Sequence, residues 1–169
     1  MAVVGFKLET GTVVPRLAEI ARGLTDATRM WDEIGGKLEL STHNRFDTGT
    51  DPEGALWPKS LRVINQGGKT LVDSARLYQS VTHNAWPSGV AVGTNVEFAA
   101  THQFGATIKA KTAKGLFIKF KHRGSNKSEI RRPQQVTIPR RAFLGLSDAD
   151  ETEIMTIAER YVARISDAH

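Results

Sequence analysis

Five histidines, a Gly-Gly-Lys-Thr run and scattered carboxylates are the side chains here whose chemistry could make or break bonds. His43, His83, His102, His122 and His169 are dispersed through the 169 residues without metal-ligand spacing. No two histidines stand at helical i, i+4 spacing around a glutamate, so a zinc-protease type of site is absent. Gly67-Gly68-Lys69-Thr70 ends like a phosphate-binding loop, but Val63 occupies the place of that loop's first glycine. The run reads instead as a turn leading into a helix. A Gly-x-Ser-x-Gly elbow does not occur, which argues against serine-hydrolase chemistry. His43-Asn44 and His83-Asn84 invite a nuclease reading, yet no further ligands gather around either pair. The acidic residues Asp148, Asp150, Glu151 and Glu153 cluster where a helix would begin, and a dipole role accounts for them. With no cysteine, disulfides, thiolate metal sites and cysteine nucleophiles are excluded. The sequence points to no catalytic site, no metal and no cofactor.

The elements that would position these residues read as one α+β domain over 1–169. The length suits a single core, and the 40% apolar and 24% charged fractions are those of a globular protein. No apolar run is long enough to span a membrane, and the first residues do not read as a signal peptide. A cytoplasm-like folding compartment is expected. Val4, Phe6 and Leu8 alternate as a short strand. Helical spacing follows at Leu17, Ile20, Ala21 and Leu24, and again at Ala27, Trp31, Ile34 and Leu38, where Gly35-Gly36 predicts a break or bend. From Asp47 to Pro58 the chain is dense in turn formers, with the Trp57 ring expected to anchor the loop.

A short helix is expected around residues 71–77. Ser80 to Val92 reads as a hairpin over a four-residue turn, Trp86-Pro87-Ser88-Gly89. Leu116, Ile118 and Phe120 alternate, and Val136 with Ile138 is expected to continue their apolar face, leaving 121–133 as a long basic tip. A final amphipathic helix begins at Ser147, with Asp150 completing a capping box, and carries Ile154, Ile157, Ala158, Tyr161 and Ile165 on one stripe.

Charge is distributed unevenly. The net charge is +5, yet 109–141 holds eleven Lys and Arg against the single acid Glu129. The rest of the chain is therefore mildly acidic. Such a basic segment suits contact with a polyanion, and it suits equally a solvated loop kept soluble by its charge.

Several ordered blocks resemble the phage virion morphogenesis family, the tail-completion proteins of Mu-like and related contractile-tailed phages. Arg45-Phe46 and Asp51-Pro52-Glu53-Gly54-Ala55-Leu56-Trp57-Pro58 are similar to the family's Pro-x-Gly-x-x-Trp loop. Lys69, Leu71-Val72-Asp73-Ser74-Ala75-Arg76-Leu77 and Ser80 resemble its next block, where the family more often has glycine at Ser74 or Ala75. Val92-Gly93-Thr94-Asn95 and Phe98-Ala99-Ala100-Thr101-His102-Gln103-Phe104-Gly105 resemble its core motif. Ile138-Pro139-Arg140-Arg141-Ala142-Phe143-Leu144-Gly145-Leu146-Ser147 is similar to its last block, with Ala142 where proline is common. The resemblance covers Arg45 to the C-terminus.

It implies a small non-enzymatic subunit of the virion's tail or neck, assembled in a bacterial cytoplasm, that completes the tail or joins it to the head. The partners implied are further copies in a ring of hexamer type and neighbouring tail and neck proteins. Physically, Phe104 is expected in the core, Gly105 at a positive φ, and His102 and Gln103 on nearby backbone groups. Pro139 should end a strand, with Phe143 and Leu144 beneath the last helix. The basic arm Lys109, Lys111, Lys114, Lys119, Lys121, Arg123, Lys127, Arg131 and Arg132 is expected to face packaged DNA or a partner's acidic rim, its tip ordering only on assembly. A small basic nucleic-acid-binding protein is the alternative reading, though no basic recognition helix is evident.

Overall fold

The computed structural model describes residues 4–5, 26–121 and 128–166, and the fold is α+β. Its centre is helix α1, Thr28–Thr48, opened by the Asp26 carboxylate, which accepts from the Thr28 amide at 2.9 Å and the Thr28 hydroxyl at 2.6 Å. It ends at Gly49, whose φ of +74° is the left-handed conformation that glycine adopts freely. The expected break at Gly35-Gly36 does not occur. Glycine is required there by packing: a Cβ on Gly35 would lie 2.5 Å from the His83 ring and 2.8 Å from Val90. The strands sit against the helix backbone, and that contact outweighs a propensity cost of about 1 kcal/mol per glycine. Gly35→Ala should therefore destabilise the protein by roughly 1–3 kcal/mol, although alanine is the better helix former. Urea midpoints of the two proteins check this; a raised midpoint in the variant would refute it.

The sheet that α1 covers has order β1-β3-β2, all antiparallel, from β1 (Val4–Gly5), β2 (Thr82–Trp86) and β3 (Gly89–Thr94). The expected N-terminal strand is thus present at Val4–Gly5, while Phe6, Leu8 and the helical spacing at 17–24 lie outside the described residues. Trp86 and Gly89 pair as the last rung, so the hairpin turn is Pro87-Ser88 alone rather than four residues. Gly89 admits the Trp86 ring, whose Cζ2 would stand 3.0 Å from a Cβ at that position.

Between α1 and the sheet, the chain forms α2 (Leu61–Gln66) and α3 (Arg76–Gln79). The short helix expected around 71–77 is present only from Arg76, and 71–75 form a turn, because Leu71 and Ala75 adopt φ of +63° and +58°. Arg62 of α2 holds that turn, donating to the carbonyls of Lys69 at 2.6 Å and Val72 at 3.1 Å. Ala75 stands in a left-handed conformation that suits glycine.

After α4 (Ala99–Phe104) come β4 (Ala106–Lys109), β5 (Ile118–Lys121), β6 (Ser128–Arg131) and β7 (Gln135–Ile138). The expected pairing of Val136 and Ile138 with the 116–120 strand is corrected: β7 pairs with β4, setting Val136 opposite Ile108 and Ile138 opposite Ala106. β5 pairs instead with β6, which lies within the stretch expected as a loop tip. One return segment, 128–138, serves both ribbons, and the outgoing strand is interrupted at 111–115. Gly115, at φ +76°, closes that excursion against the Arg132 carbonyl, and Leu116 N–H donates to Pro133 O at 2.8 Å.

The chain finishes in α5 (Asp148–Ser166), started by the predicted capping box. Ser147 Oγ accepts from the Asp150 amide at 3.2 Å, and Asp150 accepts from the Ser147 amide at 2.9 Å. Ile154, Ile157 and Ala158 are buried in a core shared with Met30, Ile34 and Phe46 of α1. Ion pairs Lys37–Glu153, at 2.8 Å, and Arg160–Glu33 flank the α1–α5 contact. Among the described residues no helix is long and apolar enough to cross a membrane.

Candidate functional site

The residues singled out by sequence fall into two places: a buried cluster around 141–145 and the exposed ribbons. The segment Arg141-Ala142-Phe143-Leu144-Gly145 is neither helix nor strand, so its buried backbone groups need partners from side chains. Trp57 Nε1 donates to Ala142 O at 2.9 Å, with its ring edge-on to Phe46, so the loop before it is anchored as expected. The Gln103 amide serves three groups: its Oε1 accepts from the Phe143 and Leu144 amides at 3.0 Å each, and its Nε2 donates to Leu144 O at 2.8 Å. Arg141 Nε donates to Pro58 O at 2.7 Å, and the Arg141 amide donates to His102 O at 2.7 Å.

At the centre of the cluster lies Arg45, which sequence reasoning noted only as part of a motif. Its guanidinium donates to Phe143 O at 3.1 Å, Gly145 O at 2.9 Å and Ser41 Oγ at 3.2 Å, and pairs with the Asp150 carboxylate. Burial pulls the Arg45 pKa down from its ordinary value, opposed chiefly by Asp150. Asp150 thus does more than cap α5: one carboxylate joins the helix start, α1 and the 143–145 backbone. The available signal was a lone arginine on the apolar stripe of α1, four residues after Ser41.

Two expectations for the core motif are corrected. Phe104 is 65% exposed rather than buried, because Ala99 and Gln103, four residues apart on α4, occupy its inward face. His102 Nδ1 is buried without a hydrogen-bond partner, so this ring does not satisfy backbone groups. Gly105 has the predicted positive φ, +75°, and a Cβ there would press on Ile138 O and Arg140 N. β7 ends immediately before Pro139, as predicted; Pro139 and Arg140 are exposed, while Phe143 and Leu144 are buried.

Burial, reinforced by the Arg141 charge, holds the His102 pKa below its ordinary value. The unfolded chain then takes up this proton first, so folding stability is complete above about pH 6.5 and is lost as pH falls through the window beneath it. His102→Gln should flatten the fall in urea midpoint between pH 7.5 and 5 relative to the parent. An unchanged slope would contradict this.

His83 and His43 are held structurally and apart. His83 reaches Glu39 at 2.7 Å and Asp32 at 3.3 Å, strapping β2 to α1. His43 stacks on Tyr78 with ring centroids 4.4 Å apart; His122 and His169 lie outside the described residues. Lys69 of the Gly-Gly-Lys-Thr run pairs with Asp47 at 2.6 Å, in a turn as expected. Among the described residues no group of three or more histidines and carboxylates could hold a metal ion.

The ribbons carry the basic residues. Lys109, Lys111, Lys114, Lys119, Arg131 and Arg132 are all exposed. The backbone of Lys121 lies on β5, whereas its side chain, together with Arg123 and Lys127, lies outside what is described. Arg131 pairs with Glu129 at 2.6 Å, and Arg132 lies over the Phe117 ring, 5.5 Å from its centroid. Apolar residues are exposed on the same ribbons: Phe117 is 61%, Ile130 54% and Ile108 42% exposed. Among the residues of β4 to β7 whose side chains are described, none belongs to the buried core.

The chain is 28% identical over 149 residues to Mu-like prophage FluMu G protein 2 of Haemophilus influenzae, covering 88% of each protein. No solved structure matches it. A model of the phage virion morphogenesis family matches residues 8–163, which include both the rivets around 141–145 and the ribbons. By that match, which spans most of its length, the chain belongs to the phage virion morphogenesis family.

Proposed function

We propose that this protein is a non-enzymatic structural subunit of the tail or neck of a phage particle, and that it completes the tail or joins it to the head as one member of a ring of copies. The observation that carries the reading is the pair of ribbons: apolar and basic side chains displayed together, outside the core, on a body riveted at 141–145. Isolated exposed apolar residues are ordinary, but aromatic and aliphatic groups beside arginine on one exposed ribbon have the composition of an interface. The family and the Mu-like prophage relative support a role in virion assembly. Neighbouring tail and neck proteins, and the phosphates of DNA passing the ring, are the other contacts this arm would make.

Replacing both Arg131 and Arg132 with glutamate should leave circular dichroism and melting unchanged, since both side chains are exposed, while most infectious particles are lost. A normal particle yield from the double variant would defeat the proposal.

A further inference from the structure

The structure also points to where one copy would hold the next, an inference that rests on the ring reading above. We infer that the β5–β6 ribbon of one copy docks on the outward face of α5 of its neighbour.

The register of the ribbon defines its displayed face. Lys119 stands opposite Ile130 and therefore shares a face with it. Phe117 and Arg132, one step further along the ribbon, are joined by the cation–π contact. The result is a short strip in which two exposed apolar groups, Phe117 and Ile130, are interleaved with two cations, Lys119 and Arg132.

The complementary surface lies on the other side of the same molecule's charge asymmetry. α5 packs its Ile154, Ile157 and Ala158 inward. Flanking that buried face, an open groove is lined by Asp148, Glu151, Met155 and Glu159, with Thr152 and Thr156 between them, and Met155 packs in part against the core. The spacing, 148, 151, 155 and 159, is that of one continuous helix stripe. The other carboxylates of this helix are engaged: Asp150 with Arg45 and Glu153 with Lys37. Asp148, Glu151 and Glu159 form no ion pair with a described residue. A partly buried methionine ringed by free carboxylates matches, in reverse sign, an apolar strip flanked by Lys119 and Arg132.

Two features favour a protein occupant over nucleic acid. Duplex phosphates reward clustered cations and gain little from exposed isoleucine. A single strand stacks its successive bases on several aromatic rings, whereas this strip, among the described residues, displays one, Phe117. The two surfaces are different patches of one chain, so the contact is heterologous and closes into a ring when its rotation allows.

Charge reversal on the full-length chain tests this. Lys119→Glu with Arg132→Glu reverses the ribbon; Glu151→Lys with Glu159→Lys reverses the helix face. Each variant should sediment as a monomer, whereas an equimolar mixture of the two should regain the parent's oligomer, since alternating copies restore every contact. A second measurement uses the absence of cysteine. Lys119→Cys with Glu151→Cys should give a reducible covalent ladder under mild oxidation, and either single cysteine nothing beyond a dimer. If either reversed variant assembles like the parent, or the mixture stays dissociated while both keep native circular dichroism, the contact is wrong although the ring may stand. Loss of duplex DNA retention in the ribbon variant, without loss of the oligomer, would assign the strip to nucleic acid instead and overturn the contact. A parent chain that is monomeric at every concentration would remove the ring reading as well.

Discussion

Replacing Arg45 with methionine should cost about 3–5 kcal/mol of folding stability, the range seen when one partner of a buried ion pair is removed. Arg45 is 5% exposed, and Asp150, its partner, is 8% exposed. Methionine fills much of the volume but leaves Asp150 without its cation and the carbonyls of Phe143 and Gly145 without a donor. Since folded domains hold only 5–15 kcal/mol in all, such a loss should bring much of the chain to the edge of unfolding. Asp150→Asn in the Arg45→Met background should recover part of the loss, because the neutral amide still caps α5 and no longer buries a lone charge. A double-mutant cycle followed by urea unfolding measures this, and a single-variant cost below about 1 kcal/mol would show that water reaches the site.

The second large effect is expected at Gln103. Gln103→Leu keeps the shape and strands three buried backbone groups: the amides of Phe143 and Leu144 and the Leu144 carbonyl. At about 1–3 kcal/mol for each unmet group, a total near 3 kcal/mol is a conservative expectation, because the segment can shift to recover some bonds. Gln103→Glu should fall between parent and leucine variant, since a carboxylate accepts from both amides but faces the Leu144 carbonyl without a donor. Equal losses for the two variants would mean that packing, rather than hydrogen bonding, sets the cost. Both predictions concern a buried segment remote from chemistry: the motif residues that are easiest to recognise in this sequence build the body, and the ribbons are what it displays.

Much of that body was legible because its signals are local. The α5 capping box, the turn formers after α1, the Trp57 anchor and the positive φ of Gly105 each depend on a few neighbouring residues, and each is present. What escaped sequence reading depends on distant partners. Gly35 weakens a helix by propensity, but the approach of His83 and Val90 makes glycine the fitting residue. Val136 has the same alternation whether it faces Phe120 or Ile108; β4, a four-residue strand with weak patterning, took the pairing. Leu71 and Val72 look helical until Arg62, reaching from α2, fixes the Lys69 and Val72 carbonyls in a turn.

The site divides in the same way. Clustered Lys and Arg announced the basic arm, and exposed Phe117 and Ile130 on it became visible only with the register of β5 and β6. Phe104 shows the limit most plainly. An aromatic residue inside a recognisable motif reads as core, yet the four-residue step from Ala99 to Gln103 gives the inward face of α4 to a glutamine. The polar residue of the motif is the buried one because three backbone groups await it.

Imaging particles from a phage deleted for this gene, alongside the same phage supplied with the protein, bears most directly on the proposal that it joins tail to head. Filled heads lying apart from tails, and whole particles once the protein is restored, is the result expected. Complete, infectious virions in its absence would contradict it.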